Sequence, residues 1–134
     1  MSASSTDAPP VHCLVVEDDP VLLEAIGRVL AREGHRVTLA RDGVQALERF
    51  AQDPAELVIT DIIMPEKEGV ETILSIKGRA PDVRVVAISG GGRTPANAFL
   101  QVAKALGADA TLAKPFTLSA LMDVVRSLIP PRAA

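Results

Sequence analysis

Five polar side chains stand where apolar runs of the sequence end: three carboxylates, a hydroxyl and an ammonium, on Glu17, Asp18, Asp61, Ser89 and Lys114. Carboxylates that cluster repel one another, and a divalent cation relieves that repulsion. Hard oxygen ligands of this kind favour Mg²⁺. A carboxylate nucleophile beside a metal ion, a hydroxyl and an ammonium suits phosphoryl transfer, because positioning and charge neutralisation supply most of its catalysis.

Taken singly, these residues also have ordinary structural explanations. Asp18 could be a loop residue, Asp61 a turn former and Ser89 the cap of a turn. Lys114 is more informative, since it directly follows an apolar run and precedes Pro115, which is unusual for a solvated lysine. Their joint placement at the ends of successive runs favours a common site over five separate explanations.

The elements that must position these residues alternate along the chain. Short apolar runs predict strands over 11–16, 36–40, 57–60, 84–88 and 110–113. A segment with apolar residues at helical spacing follows each run, the fourth of them after the Gly90–Gly92 loop and over 96–106. Asp19 and Pro20 predict the start of the first helix, as N-cap and first helical residue. Strand followed by helix, five times over, implies a parallel sheet with right-handed crossovers.

The expected fold class is α/β: a doubly wound, five-stranded parallel sheet with helices on both faces and the flavodoxin-like strand order 2-1-3-4-5. The first, third and fourth runs are the most apolar, so they should be central, and the second and fifth should be edges. Ligand sites in such sheets lie at the carboxyl ends of the strands, where the strand order reverses. Strands one and three meet there, which brings Glu17 and Asp18 to Asp61.

The length and the amino-acid composition are typical of a single globular domain. The chain has 134 residues, of which 48% are hydrophobic and 23% charged, and it lacks Trp and Tyr, so its core must be aliphatic. We expect a folded domain over 11–129, with flexible tails at 1–10 and 130–134. The net charge of −3 gives no broad basic surface, so nucleic acid is not expected as a partner.

Other features set the expected compartment. The sequence shows neither a signal-peptide pattern nor about 20 consecutive apolar residues, so we expect no membrane association and a cytoplasmic protein. A single cysteine, Cys13, fits a reducing compartment.

His12 and His35 lack a partner pattern and are not predicted to bind metal or act as bases. Gly90–Gly92 lacks the Gly-Lys-Ser/Thr ending of a phosphate-binding loop, so a flexible loop is the favoured interpretation.

Four motifs resemble the receiver domain of response regulators in two-component signalling: LVVEDDP, VITDIIMPEKEG, VVAISG and LAKPF. The resemblance implies that Asp61 takes a phosphoryl group from a histidine kinase or a histidine phosphotransfer protein, with Mg²⁺ as cofactor. It assigns Ser89 and Lys114 to the phosphoryl oxygens. It also implies four metal-binding residues, namely Glu17 through water, Asp18 and Asp61 directly, and Ile63 through its carbonyl oxygen. A cis Lys114–Pro115 bond is expected by the same analogy.

The resemblance further implies a phosphoprotein that signals by binding other proteins and catalyses only its own phosphorylation and dephosphorylation. Its downstream target is unknown. Thr111 occupies a position that often holds an aromatic switch residue, which puts the usual switch in doubt. The segment between Ser89 and Lys114 is a few residues longer than in short receivers. Since no output segment follows the last predicted helix, we expect action by partner binding or phosphate relay.

Three alternative functions make different demands on the sequence. A haloacid-dehalogenase-type aspartyl-phosphate phosphatase would show Asp-x-Asp, whereas Asp61 is followed by Ile62 and Ile63, and the chain has no room for a cap domain. A flavodoxin-like FMN carrier would need a Ser/Thr-rich loop after strand one and aromatics to sandwich the flavin. A pseudo-receiver that only binds partners is disfavoured by the complete set of Asp18, Asp61, Ser89 and Lys114.

Overall fold

Strands and helices alternate in the computed structural model, which describes residues 10–62, 68–89, 101 and 104–129. The strands are β1 (His12–Val16), β2 (Arg36–Ala40), β3 (Leu57–Asp61), β4 (Arg84–Ser89) and β5 (Ala110–Ala113). The helices are α1 (Pro20–Arg32), α2 (Gly43–Gln52), α3 (Glu68–Arg79) and α4 (Leu118–Leu128). The predicted Gly90–Gly92 loop lies outside the described residues, as do most of the helix predicted over 96–106 and nearly all of the two predicted tails.

All five strands are parallel and lie in the order β2-β1-β3-β4-β5, which confirms the predicted fold class. Every residue of β1 and β3 is buried, whereas β5 is half-buried throughout and β2 is buried only at its end. A central strand of such a sheet is covered on both faces, so the strands whose sequence is apolar throughout lie at its centre.

The core is divided between the two faces of the sheet. Leu14 and Val16 of β1 pack with residues of α2 and α3, such as Phe50 and Ile73. The alternate β1 residues Cys13 and Val15 face the residues of α1 and α4 instead. Cys13 is fully buried, and this burial raises the pKa of its thiol to about 12. It behaves as a small hydrophobic residue.

Side-chain caps fix where α1 and α2 begin. Asp19 Oδ1 accepts from Val21 N at 3.0 Å, and Pro20 occupies the first turn, as predicted. Asp42 Oδ1 accepts from Gln45 N at 2.8 Å and caps α2 in the same way. The α1 cap follows Glu17 and Asp18 directly, so it holds the acidic turn in place. None of the described helices is long and apolar enough to cross a bilayer.

Candidate functional site

Three carboxylates meet at the carboxyl ends of β1 and β3. Val16 and Thr60 are paired across these neighbouring strands, so the residues that follow them emerge side by side. One oxygen from each of Glu17, Asp18 and Asp61 lies within 4.8 Å of the other two. Glu17 and Asp61 are buried and Asp18 is exposed. Such a set of oxygen ligands, open on one side, suits Mg²⁺, which keeps several of its waters when bound.

The ammonium of Lys114 completes this cluster from the far edge of the sheet. Its Nζ donates to Asp61 Oδ2 at 2.8 Å and lies 3.1 Å from Glu17 Oε1. Burial lowers the pKa of Lys114, but the contacts with Asp61 and Glu17 outweigh that effect and raise it overall. The backbone also holds the residue, since Lys114 N donates to Ser89 O at 2.7 Å. The Lys114–Pro115 bond is cis, as predicted.

Glu17 is fully buried, and its two carboxylate oxygens differ. Oε2 accepts from the backbone N–H of Asp19 at 3.0 Å. Oε1 makes no hydrogen bond with the described residues, although Lys114 Nζ is close enough for an ion pair. Burial raises the pKa of Glu17, and the contacts with Asp19 and Lys114 offset only part of this rise. The carboxylate is therefore held at a cost in free energy, as expected of a group that serves a ligand.

Ser89 ends β4 with its hydroxyl fully buried, and in the described part of the chain that hydroxyl has no hydrogen-bond partner. Leaving a buried donor unsatisfied costs about 1–3 kcal/mol. A ligand oxygen bound at this end of the sheet would remove the penalty. This hydroxyl and Glu17 Oε1 are the two buried side-chain polar atoms without a hydrogen bond among the described residues, and both lie where strands end at the site.

The structure thus brings together four of the predicted site residues, Glu17, Asp18, Asp61 and Lys114, and places Ser89 at the end of the neighbouring strand. Ile63 lies outside the described residues, so its carbonyl ligand stays a prediction. Sequence reasoning missed the Asp19 N–H, because a backbone donor leaves no trace in residue type.

An apolar groove beside the site was also missed. It has a volume of about 600 Å³ and runs between the start of α1 and the segment after β5, lined by Asp19, Val21, Leu22, Ala25, Lys114, Pro115 and Phe116. Val21 is 78% exposed, which is a large value for a valine in a helix with a well-defined buried face. An apolar residue off the buried face of a predicted helix was the signal that could have revealed the groove.

The fold and the site define a class of protein, and comparison with known proteins agrees with it. The chain belongs to the response regulator receiver domain family, which it matches over residues 13–126. It is therefore a receiver domain of the kind found in two-component systems.

Among curated proteins, the response regulator MprA of Mycobacterium tuberculosis is 34% identical over 119 residues, which are 89% of this chain and 50% of that protein. The chain spans about half the length of the curated relatives it matches. Among solved structures, a receiver domain protein from Clostridium thermocellum is 28% identical with a TM-score of 0.78, over 88% of this chain and 93% of that one. The chemotaxis response regulator CheY4 of Vibrio cholerae, at 23% identity, shares the fold with a TM-score of 0.79, over 90% of this chain and 100% of that one.

Proposed function

We propose that this receiver domain accepts a phosphoryl group on Asp61 in a reaction that requires Mg²⁺. The observation that carries the proposal is the 2.8 Å contact of Lys114 Nζ with Asp61 Oδ2 inside the cluster of three carboxylates. Asp61 is a buried carboxylate held beside an ammonium and within reach of a metal site. This is how a carboxylate is arranged as a nucleophile toward phosphorus.

The residues present fit a magnesium ion. Asp18 and Asp61 would hold it directly, and Glu17 would act through a bound water. Glu17 Oε1, which has no hydrogen-bond partner among the described residues and contacts Lys114 Nζ only as an ion pair, supports this role. By family resemblance, the carbonyl oxygen of Ile63 is a further ligand. When bound, Mg²⁺ supplies positive charge that neutralises the phosphoryl oxygens.

The chain's own residues then have distinct tasks. A carboxylate oxygen of Asp61 forms a bond to phosphorus while the bond from phosphorus to the donor's imidazole nitrogen breaks. Lys114 pairs with a phosphoryl oxygen as negative charge shifts toward it. The Ser89 hydroxyl, which has no hydrogen-bond partner among the described residues, donates a hydrogen bond to another phosphoryl oxygen. The donor's imidazole leaves as the neutral ring when its other nitrogen carries a proton, so this chain supplies no proton, and its catalysis lies in positioning and charge.

The phosphoryl donor is proposed to be a histidine kinase or a histidine phosphotransfer protein. The donor must come close to Asp61, and the groove beside Lys114 is an apolar surface next to that path. We propose that an apolar helix face of the donor packs against Val21 and Phe116 there. The signal would then pass to a downstream protein target.

Apart from its own phosphorylation and dephosphorylation, we propose no enzymatic activity for the chain, and we propose that it works in the cytoplasm. The haloacid-dehalogenase-type alternative is not favoured, because the family match and the parallel five-stranded fold both belong to receivers. The two functions differ in turnover. A phosphatase would release many equivalents of phosphate from a phosphorylated substrate, whereas a receiver accepts one phosphoryl group per chain.

The experiment is incubation with acetyl phosphate and Mg²⁺, followed by intact-mass measurement. The wild type should gain one phosphoryl group, and Asp61→Asn or added chelator should abolish the gain. Asp123→Asn, which changes an exposed carboxylate on α4, is the matched control and should behave like the wild type. If Asp61→Asn is phosphorylated to the same extent, the assignment of Asp61 is wrong.

A further inference from the structure

A histidine side chain fastens the start of β1 at the end of the sheet opposite Asp61. His35 lies in the turn between α1 and β2, and its Nδ1 accepts from the backbone N–H of Val11 at 3.1 Å. A ring nitrogen that accepts a hydrogen bond carries no proton, so this contact requires the neutral imidazole with its proton on Nε2. Protonation of His35 would place two N–H dipoles against each other and break the contact.

The second histidine at this end of the sheet behaves differently. His12 Nδ1 lies 3.1 Å from Pro54 O, which can only accept, so Nδ1 carries a proton in either charge state. His12 Nε2 lies 2.7 Å from Thr38 Oγ1, a hydroxyl that can donate to it or accept from it. The carboxylate of Asp53 lies 3.8 Å from Nδ1. Both bonds of His12 therefore survive protonation, and the bond of His35 does not.

The surroundings of His35 favour its neutral form. Burial lowers the pKa of His35, and the negative charge of Glu33 at the end of α1 opposes that effect only in part. Glu33 itself is occupied, since Arg126 of α4 donates to it at 3.1 Å. Of the other charged groups at this corner, Arg36 at the start of β2 pairs with Asp53, and Arg32 at the end of α1 is exposed.

We propose that His35 is a proton-operated latch, which holds Val11 against the α1–β2 turn in neutral solution and releases it in mildly acidic solution. The folded pKa lies below the unfolded value of about 6.5, so the unfolded chain binds more protons as the pH falls. The stability that the latch contributes is thus complete above about pH 6.5. It is lost as the pH falls toward the folded pKa.

The latch has a structural consequence beyond one hydrogen bond. Val11, with Leu128 and Ile129, lines a cavity of about 400 Å³ at this end of the sheet. Release of Val11 would free one wall of that cavity, while the backbone contact of Arg36 N with Val11 O would still join Val11 to the start of β2. The proposal does not depend on phosphorylation of Asp61, because the latch and the carboxylate cluster lie at opposite ends of β1.

Nuclear magnetic resonance of the full chain tests the geometry directly. At pH 8 the ring nitrogens of His35 should show the Nε2–H tautomer, and the amide signal of Val11 should shift with the same midpoint as the His35 titration. In His35→Leu the Val11 amide should no longer shift over this range. A His35 ring in the Nδ1–H tautomer, or a Val11 amide that ignores the His35 titration, would overturn the proposal.

Stability measurements test the consequence. Urea unfolding at pH 7.5 and at pH 5.5 gives the unfolding equilibrium constant of the wild type and of His35→Gln. Acidification should raise this constant about two- to tenfold more in the wild type than in His35→Gln, which is the range expected for one lost hydrogen bond. Gln cannot titrate but keeps an acceptor oxygen. The comparison cancels the response of Glu17 and other carboxylates, which both proteins share. An equal pH response in the two proteins would refute the latch.

Discussion

Lys114 donates from Nζ to Asp61 Oδ2 at 2.8 Å, although the two residues are 53 positions apart in the chain. The contact joins β5, at the edge of the sheet, to β3 at its centre, across the end of β4. It also places the ammonium 3.1 Å from Glu17. One cation thus partly neutralises two buried acids before any metal binds, which explains how the site can be assembled in advance.

Removing this cation should slow phosphorylation. Lys114→Met keeps the length of the side chain and removes its charge, so a phosphoryl oxygen loses a charge-assisted partner. Such a hydrogen bond contributes about 1.5–3 kcal/mol, which corresponds to about 10- to 150-fold in rate. The measurement is the rate of phosphorylation by acetyl phosphate, with the exposed Lys104→Met as control. A rate within twofold of the wild type would show that Lys114 does not assist the transfer.

Magnesium should stabilise the folded chain, because it relieves repulsion that exists only when the three carboxylates are assembled. Binding at about 100 times the dissociation constant adds about 2.7 kcal/mol to the free energy of unfolding. Thermal melting with millimolar Mg²⁺ and with chelator measures the effect. Asp18→Ala should abolish most of the increase. An equal increase in that variant would place the metal elsewhere.

Glu17→Gln should raise the melting temperature in the presence of chelator. Burial raises the pKa of Glu17, so the folded state disfavours its charged form at neutral pH. Replacing it with a neutral amide removes that penalty, so the free energy of unfolding should rise. The further increase on adding Mg²⁺ should be smaller than in the wild type. Glu24→Gln, at an exposed position of α1, serves as the control, and a lower melting temperature for Glu17→Gln would contradict the argument.

The strand order and the position of the site could be predicted because both follow from residue type along the chain. Fully apolar runs identified the central strands, and acids at the ends of two neighbouring strands had to meet. The limits of the strands were less accurate. β3 extends one residue beyond the prediction to Asp61, since Asp61 still pairs with Ile88 of β4. β1 begins one residue later than predicted, at His12.

Individual contacts could not be predicted, because they depend on distances that the sequence pattern does not contain. His35 was assigned no partner, yet it accepts from the backbone of Val11, 24 positions away. The donor is a main-chain N–H, which any residue type except proline would supply. The same reason hid the contact between Asp19 N and Glu17. The lack of a hydrogen bond to Ser89 among the described residues was equally hidden, because residue types do not show which groups come within reach of a hydroxyl.

Phosphorylation should change the face formed by the helix predicted over 96–106, β5 and α4. Ser89 ends β4 and Lys114 follows β5, and drawing them toward a phosphoryl group can bias this face, with a coupling of typically about 1–3 kcal/mol. Thr111 of β5 is half-buried and not aromatic, so the bias does not run through an aromatic ring at this position. Hydrogen exchange with and without beryllofluoride should show altered protection in β5 and α4. Changes confined to α1 and α2, or an identical response in Asp61→Asn, would disprove this.

Val21→Asp should weaken phosphotransfer from the cognate donor while leaving phosphorylation by acetyl phosphate unchanged. Val21 is 78% exposed on the wall of the groove beside Lys114, and it makes no part of the carboxylate cluster. A small phosphodonor needs only the site, whereas a protein donor must also pack against its surroundings. Burying an introduced carboxylate against an apolar helix costs several kcal/mol, so we expect the transfer rate to fall at least about tenfold. Val44→Asp, at the exposed start of α2, is the matched control, since it adds the same charge at a distant exposed valine. If Val21→Asp slowed phosphorylation equally with both donors, the substitution would damage the site itself. If Val21→Asp and Val44→Asp slowed phosphotransfer equally, net charge would be the cause. Either result would show that the groove is not the docking surface.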